Sequence, residues 1–299
     1  MEANNKIELE DTKPQKMNGR FLFMKMGLLW QSKSAFFGGI IVVLVVICAV
    51  FAPFLSTHDP YEMNMRNGLL KPGEGGHFLG TDQYGRDLFT RLIYGARVSL
   101  EVGITSVLIS MVIGVTLGLI AGYYGGLIDT IIMRIVDIFL SFPVVLLAIA
   151  LVASLGPGIG NVIIALGLVY WTNYARVVRA NVLSIKEEEY IQAAKTIGSS
   201  DFRIIFFNIL PNSIAPIIVI ATLGLGVAIV AEATLSFLGL GIQPPEASWG
   251  WTLAFGMKYI RESFHLSLYP GIAIMITVLG FNLLGDGIRD LTDTKLKRR

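Results

Sequence analysis

The amino-acid sequence predicts an all-α, polytopic membrane protein with six transmembrane helices. Of its 299 residues, 54% are hydrophobic and only 15% are charged. A soluble domain carries about 25% charged residues, so water is the wrong solvent for most of this chain. Length supplies the other observation: several apolar runs reach the roughly 20 residues that a helix rising ~1.5 Å per residue needs to cross a ~30 Å hydrocarbon layer.

The runs fall at 36–55, 98–122, 131–155, 159–174, 214–235 and 266–284. They divide the chain into a cytoplasmic tail 1–34, a first transmembrane helix 35–55, an extracytoplasmic loop 56–97, a transmembrane core 98–290 containing a cytoplasmic loop 185–211, and a basic cytoplasmic tail 291–299. A long polar and basic stretch precedes the first run, so that run is expected to stay as a signal anchor. The first thirty or so residues, rich in Glu, Lys, Asn and Asp, are expected to be partly disordered. Gly114 and Gly118 stand four apart in the second run, a small-xxx-small spacing that lets helix backbones approach closely in lipid. In a chain with 32 glycines, chance spacing explains the pair equally well.

Lys and Arg orient the runs, because cytoplasmic loops retain positive charge. The N-terminal tail carries Lys6, Lys13, Lys16, Arg20, Lys25 and Lys33; the connection after the fourth run carries Arg176, Arg179, Lys186, Lys195 and Arg203; the end carries Arg289, Lys295, Lys297, Arg298 and Arg299. All three regions are expected in the cytoplasm. The loop 56–97 strains the rule with Arg66, Lys71, Arg86, Arg91 and Arg97, and alternation between spans places it outside.

Composition also excludes functions. Cys48 is the single cysteine, so neither an internal disulfide nor a thiolate metal cluster can form. A net charge of +2, with basic residues in loops instead of along one face, argues against nucleic-acid binding. No Gly-x-x-x-x-Gly-Lys-Ser/Thr phosphate loop occurs, so no nucleotide or other cofactor is expected on this chain. His58, His77 and His265 are far apart and none lies in a His-Glu-x-x-His pattern, so each reads as a loop or interface residue and no metal is expected. The Gly156–Gly160 stretch lacks a preceding strand and reads as a tight outer loop.

The segment 185–211 is too patterned for a plain linker and reads as two short helices. Tyr190, Ala193, Ala194 and Ile197 recur at i, i+3, i+4 and i+7, a small apolar stripe on one face. Gly198 supplies a left-handed stop, Ser200 or Asp201 a cap for the next helix, and Pro211 punctuation before the fifth run. Two readings fit the stripe: a face that seats in the groove of a soluble partner, or an amphipathic connector lying on the membrane surface.

Ala193-Ala194, three residues, Gly198 and then Leu210-Pro211 resembles the EAA loop of binding-protein-dependent ABC importer permeases. Gln192 stands where that family usually has an acidic residue, and Asn208 where it has isoleucine. Two further blocks, His77-Phe-Leu-Gly-Thr-Asp-Gln-Tyr-Gly-Arg-Asp-Leu-Phe89 and Leu235-Ser-Phe-Leu-Gly-Leu-Gly-Ile-Gln-Pro-Pro245 followed by Trp249-Gly250, look like the dipeptide, oligopeptide and nickel subfamily. With Phe281-Asn-Leu-Leu-Gly-Asp-Gly-Ile-Arg-Asp290, the likeness runs from the first span onward. It implies a five-helix permease core with the first span packed outside. It implies three kinds of partner beyond the lipid bilayer: a sister permease, with this chain the second permease type, two cytoplasmic ATP-binding subunits, and an extracytoplasmic substrate-binding protein. It also implies that ATPase coupling runs through Glu189, Tyr190, Ala193, Ala194, Ile197, Gly198, Leu210 and Pro211, and that the chain itself is non-catalytic. The implied substrates are dipeptides or short oligopeptides, with nickel chelates, glutathione or another small conjugate as the alternative.

Ionisable groups within spans are costly, at least ~2.5 kcal/mol each on an insertion scale. Glu232 stands eighteen residues into the fifth run, about 27 Å from its start, so a wetted structural place near the outer interface is expected. Arg134 and Asp137, at i and i+3, are expected to neutralise each other. Asn173, Asn282 and Asp286 are open candidates for a polar route. A lone secondary transporter would want ionisable midplane sites and paired halves, which the sequence lacks. An intramembrane enzyme would want a nucleophile with its base or a metal set, and none is visible.

Overall fold

The computed structural model describes residues 32–296. The predicted tail 1–34 therefore lies almost wholly outside the described residues, as do the last three residues of the basic tail. Among the described residues the chain is built of helices. α1 spans Lys33–Val50 and is capped by the Ser32 hydroxyl, with a one-turn extension Ala52–Leu55. α2 spans Leu88–Tyr124, α3 Gly126–Leu140, α4 Val144–Leu155 and α5 Ile159–Lys186. The short α6 covers Glu189–Thr196. α7 runs over Asp201–Phe237, α8 over Trp249–Lys258 and α9 over His265–Leu296.

Length and apolarity alone qualify α1, α2, α7 and α9 as spans, and α3 with α4 makes a fifth that bends by 87°. The fourth predicted span, 159–174 within α5, does not pass that test. Packing supplies what composition does not. Gly114, Gly118 and Gly122 of α2 meet Trp171, Ala175 and Val182 of α5 in ascending order, so the two helices run parallel. A parallel pair needs a return between them, and α3 and α4 are that return. By the same reading α7 is antiparallel to α2, with Ser99 against Glu232 and Gly103 against Ile229. α9 is antiparallel to α7, with Gly226 against Val278 and Gly285 against Leu223, and antiparallel to α1, with Ala35 against Gly287 and Gly38 against Leu284. The start of α1, the 187–200 segment and the end of α9 thus share one end of the bundle. The 56–87 and 238–264 segments share the other.

The α2–α5 seam resolves the glycine spacing in favour of helix contact. A Cβ at Gly114 would stand 2.3 Å from the Trp171 carbonyl oxygen, and one at Gly118 2.6 Å from that of Ala175. Only hydrogen fits where two backbones close to this distance. Ser110 Oγ crosses the same seam and donates to the Gly167 carbonyl at 2.9 Å. The turn between α4 and α5 is tight, with Gly156 at φ +93° and the Asn161 carboxamide donating to the carbonyls of Leu155 and Gly156.

Several boundaries move. α2 begins ten residues before the predicted 98, because Arg91 is buried and satisfied instead of marking a loop. α5 continues past 174 to Lys186, carrying Arg179 into a two-pronged ion pair with Asp129 of α3, its Nη2 2.6 Å from Oδ2. Asp137 does not pair with Arg134; it lies 3.7 Å from Arg176 of α5, both side chains well exposed. α7 is the largest departure. The second short helix expected in 185–211 is the first part of a single helix, and Pro211 sits inside it. A π-helical stretch at Ile204–Ile209 widens the turn just before the proline, so the missing N–H falls where the helical register changes and leaves no ordinary bond broken.

Candidate functional site

The elbow between α5 and α7 is organised around a buried anchor that periodicity overlooked. Ile191 on α6 is fully buried and packs with Val178 and Val182 of α5 and with Ile204, Ile205 and Ile209 of α7. The opposite face of α6 is free: Glu189, Tyr190 and Ala193 are exposed, and Ile197 is 81% exposed. Ala194 is half-buried against the anchor cluster, as is Leu210, whereas Gly198 and Pro211 are exposed. The predicted stripe is thus divided, with Ala194 turned toward the body and Tyr190, Ala193 and Ile197 turned outward. Beside them α7 presents Phe202, Phe206 and Phe207, all exposed.

The local sequence explains this geometry. Glu189 opens α6 and Lys195 lies in its last turn, complementing the helix dipole. Gly198 has φ +79°, and the Ser199 N–H donates back to the Ala194 carbonyl at 3.0 Å, a left-handed cap that only glycine adopts without strain. Ser200 takes the N-cap position of α7, although its side chain makes no capping bond. Contacts then tie the elbow to two spans. Tyr123 Oη at the end of α2 donates to Asp201 Oδ1 at 2.6 Å, and Asn212 Nδ2 of α7 donates to Tyr190 Oη at 3.2 Å. Lys195 lies over the Tyr123 ring, 5.5 Å from its centroid. α6 is therefore in contact with both α2, through Lys195, and α7, through Tyr190.

At the other end, Glu232 is not wetted as expected; it is fully buried. Ser99 Oγ of α2 donates to its Oε2 at 2.9 Å, while Ser236 and Ser248 donate to its Oε1 at 2.9 and 3.0 Å. Sequence distance to the helix end placed it near the interface, but the 238–248 segment folds back over it and excludes water. Glu232→Ala should destabilise the purified chain by at least about 3 kcal/mol, since it orphans three buried hydroxyls at ~1–3 kcal/mol apiece. Glu232→Gln, which keeps an acceptor, should cost much less. Thermal unfolding in detergent compares the two, and equal losses would exclude this role.

Arg91 closes the same end. Its guanidinium donates to the carbonyls of Pro60, Pro245 and Glu246 at 3.1, 3.3 and 3.1 Å, and Nε lies 3.8 Å from Asp82, which also holds Arg86 Nε at 2.6 Å. Trp249 Nε1 donates to the Leu92 carbonyl at 2.8 Å. The fold also gathers residues that sequence separated: His58 and His77 stack 4.5 Å apart, with Nδ1 atoms 3.7 and 2.9 Å from Asp87 Oδ1. Imidazole and carboxylate are donors a zinc-type cation takes, yet both carboxylate oxygens already serve here, Oδ1 on His77 and Oδ2 as the cap of α2 on the Thr90 N–H at 2.8 Å. Asn282 and Asp286 are exposed on α9, with the Asn282 carboxamide beside Gly226 of α7.

Comparison with known proteins matches two family models to this chain. Residues 114–298 match the family model of the binding-protein-dependent transport system inner membrane component, and residues 28–72 match that of the N-terminal TM domain of oligopeptide transport permease C. A dipeptide transport system permease protein of Alkalihalophilus pseudofirmus is 50% identical over 269 residues, covering 90% of this chain and 88% of the relative. A probable D,D-dipeptide transport system permease protein of Escherichia coli is 43% identical over 291 residues, 96% of each. A glutathione transport system permease protein of Pectobacterium atrosepticum is 44% identical over 259 residues, covering 87% and 86%. The helical bundle, the elbow at one end and the two family matches agree, and the chain belongs to the binding-protein-dependent transport system inner membrane components, the multi-pass permease subunits of ABC importers.

Proposed function

We propose that this chain is one of two permease halves of an ATP-driven importer for dipeptides and short oligopeptides, and that its 185–211 elbow seats a separate cytoplasmic ATPase. The observation that carries the coupling role is the division of α6. Ile191 is locked in the bundle while Tyr190, Ala193 and Ile197 are exposed, as are three phenylalanines of α7. An apolar face of this kind beyond the spans favours a partner groove. Because α7 continues from Asp201 into the bundle and α6 is tied to it through Tyr190 and Asn212, a push on α6 is passed to the membrane helix by side-chain contact.

The peptide substrate rests on two of the relatives named above, which share 50% and 43% identity with this chain and carry dipeptide in their names. ATP hydrolysis belongs to two partner ATPases, substrate delivery to an extracytoplasmic binding protein, and the pore to this chain with a sister permease. Both termini and the elbow face the cytoplasm. Arg86 and Arg91, which strain the charge rule at the other end, are buried and paired, which removes much of the objection to placing that end outside.

Two measurements test this reading. In proteoliposomes containing the assembled transporter and its binding protein, alanyl-alanine should stimulate ATP hydrolysis and accumulate. Stimulation by glutathione alone would transfer the assignment to that substrate. Ser199→Cys in a Cys48→Ser background should react with an impermeant maleimide only when the cytoplasmic face is open; labelling of intact cells would reverse the orientation.

A further inference from the structure

Between the elbow and the membrane, α7 changes its winding at one place. Over Ile204–Ile209 the helix takes the wide π form, and the Leu210 N–H reaches back five residues to the Ile205 carbonyl. Such turns are rare, occur mostly as single insertions within α-helices, and gather at functional sites. What this one accomplishes follows from spacing. An ordinary helix turns by about 100° per residue, so residues five apart stand about 140° apart on its surface. Ile204 and Ile209 are five apart, yet both are buried in the cluster that anchors α6. A turn that holds one extra residue brings them to the same side.

Three features leave the turn free to change. Pro211 has no N–H, so a backbone bond that would pin the register just beyond the turn is missing. The carbonyls of Asn208 and Ile209 accept from side chains, Asn212 Nδ2 at 2.6 Å and Ser213 Oγ at 3.1 Å, and such donors follow their own torsions instead of the helical register. The Asn212 carboxamide also donates to Tyr190 Oη of α6 at 3.2 Å, so a displacement of α6 acts on the group that supports the turn. On the elbow side of the turn stands Asp201, which takes the Tyr123 hydroxyl from the end of α2 at 2.6 Å.

We infer that the wide turn is a register switch. When the ATPase displaces α6, Asn212 leaves the Asn208 carbonyl and the turn resets to ordinary α-helix. The start of α7 then rotates by about 100° relative to its membrane part, which carries Asp201 away from Tyr123 and frees the cytoplasmic end of α2. This inference rests on the docking reading above and adds the step by which motion of the elbow loosens the bundle.

The test uses the complete transporter, with its ATPases and binding protein, in proteoliposomes. Spin labels at Phe202→Cys and Ile214→Cys, both exposed positions, in a Cys48→Ser background flank the turn on one helix, so rigid movement of α7 leaves their separation alone. That separation should change by several ångströms between the nucleotide-free and the ATP–vanadate-trapped transporter. An unchanged separation would overturn the switch. Deletion of Asn208 gives a second measurement. It sets Ile204 and Ile209 four apart, about 40° from each other on an ordinary helix, so the cluster keeps both while the wide turn disappears. Alanyl-alanine uptake should fall at least about tenfold while the ATPase still co-purifies, as for loss of a conformational step. Uptake in the deletion variant that equals the parent's would also overturn the switch and leave the turn a fixture of the fold. If the deletion variant fails to assemble, the spin-label separation decides alone. A parent chain that retains no ATPase would instead defeat the docking reading itself.

Discussion

Replacing Ala193 with arginine should abolish uptake and the co-purification of the ATPase while leaving the permease folded in the membrane. The expectation follows from where the residue sits. Ala193 is exposed on the outward face of α6, between Tyr190 and Ile197, so a longer side chain meets no neighbour within this chain. Alanine and arginine have similar helix propensities, so α6 itself should lose only a few tenths of a kcal/mol. A partner groove shaped around a methyl group would have to accommodate a buried guanidinium without a counter-charge, a penalty of several kcal/mol that corresponds to at least about a hundredfold in affinity. Ala194→Arg is the less informative variant, since that residue is half-buried against the Ile191 cluster and its substitution also strains the permease. Pull-down of the ATPase with tagged permease, beside a melting curve of the permease alone, separates the two effects. Retained ATPase and normal uptake in Ala193→Arg would refute the docking face.

Gly118→Leu should prevent the bundle from assembling. Even the first side-chain atom would lie 2.6 Å from the Ala175 carbonyl oxygen and 2.9 Å from Val178 Cβ, and the backbone of α5 cannot swing away as a flexible side chain can. Separating α2 from α5 would strip contacts along a seam that runs from Gly167 to Val182, well beyond the ~1–3 kcal/mol typical of simple overpacking. The expected result is loss of monodisperse protein after detergent extraction. Gly126→Leu provides the contrast. It places the same side chain where nothing lies within 4 Å, with only the cost of its φ of +55°, and should leave a recoverable protein. Equal yields of the two variants would show that the glycine seam does not hold the bundle.

The two ends of the molecule differ in how far they could be read in advance. The elbow was legible because its signals are local: the spacing of Tyr190, Ala193 and Ile197, and the left-handed stop at Gly198, depend only on neighbours a few residues away. Ile191 was missed because a single buried residue leaves no periodic trace. At the other end almost nothing was legible. Arg91 looked like a loop cation, Glu232 like a wetted acid, and His58 and His77 like unrelated loop residues, because Arg91 and Glu232 each take a partner more than 130 positions away and the two histidines meet across 19.

The sequence by itself determined that this protein lives in lipid, that its helices cross it in alternation, and that a patterned elbow separates two of them. Those conclusions depend on each residue's own preference between water and hydrocarbon and on periodicity along one chain. Tertiary structure alone decided that α5 continues to Lys186 along α2, that Glu232 and Arg91 are dry, and that α7 passes through Pro211 without stopping. In each case the deciding term is a hydrogen bond or close backbone contact with a segment distant in sequence. Hydropathy, which counts one residue at a time, has no access to the compensation such partners provide.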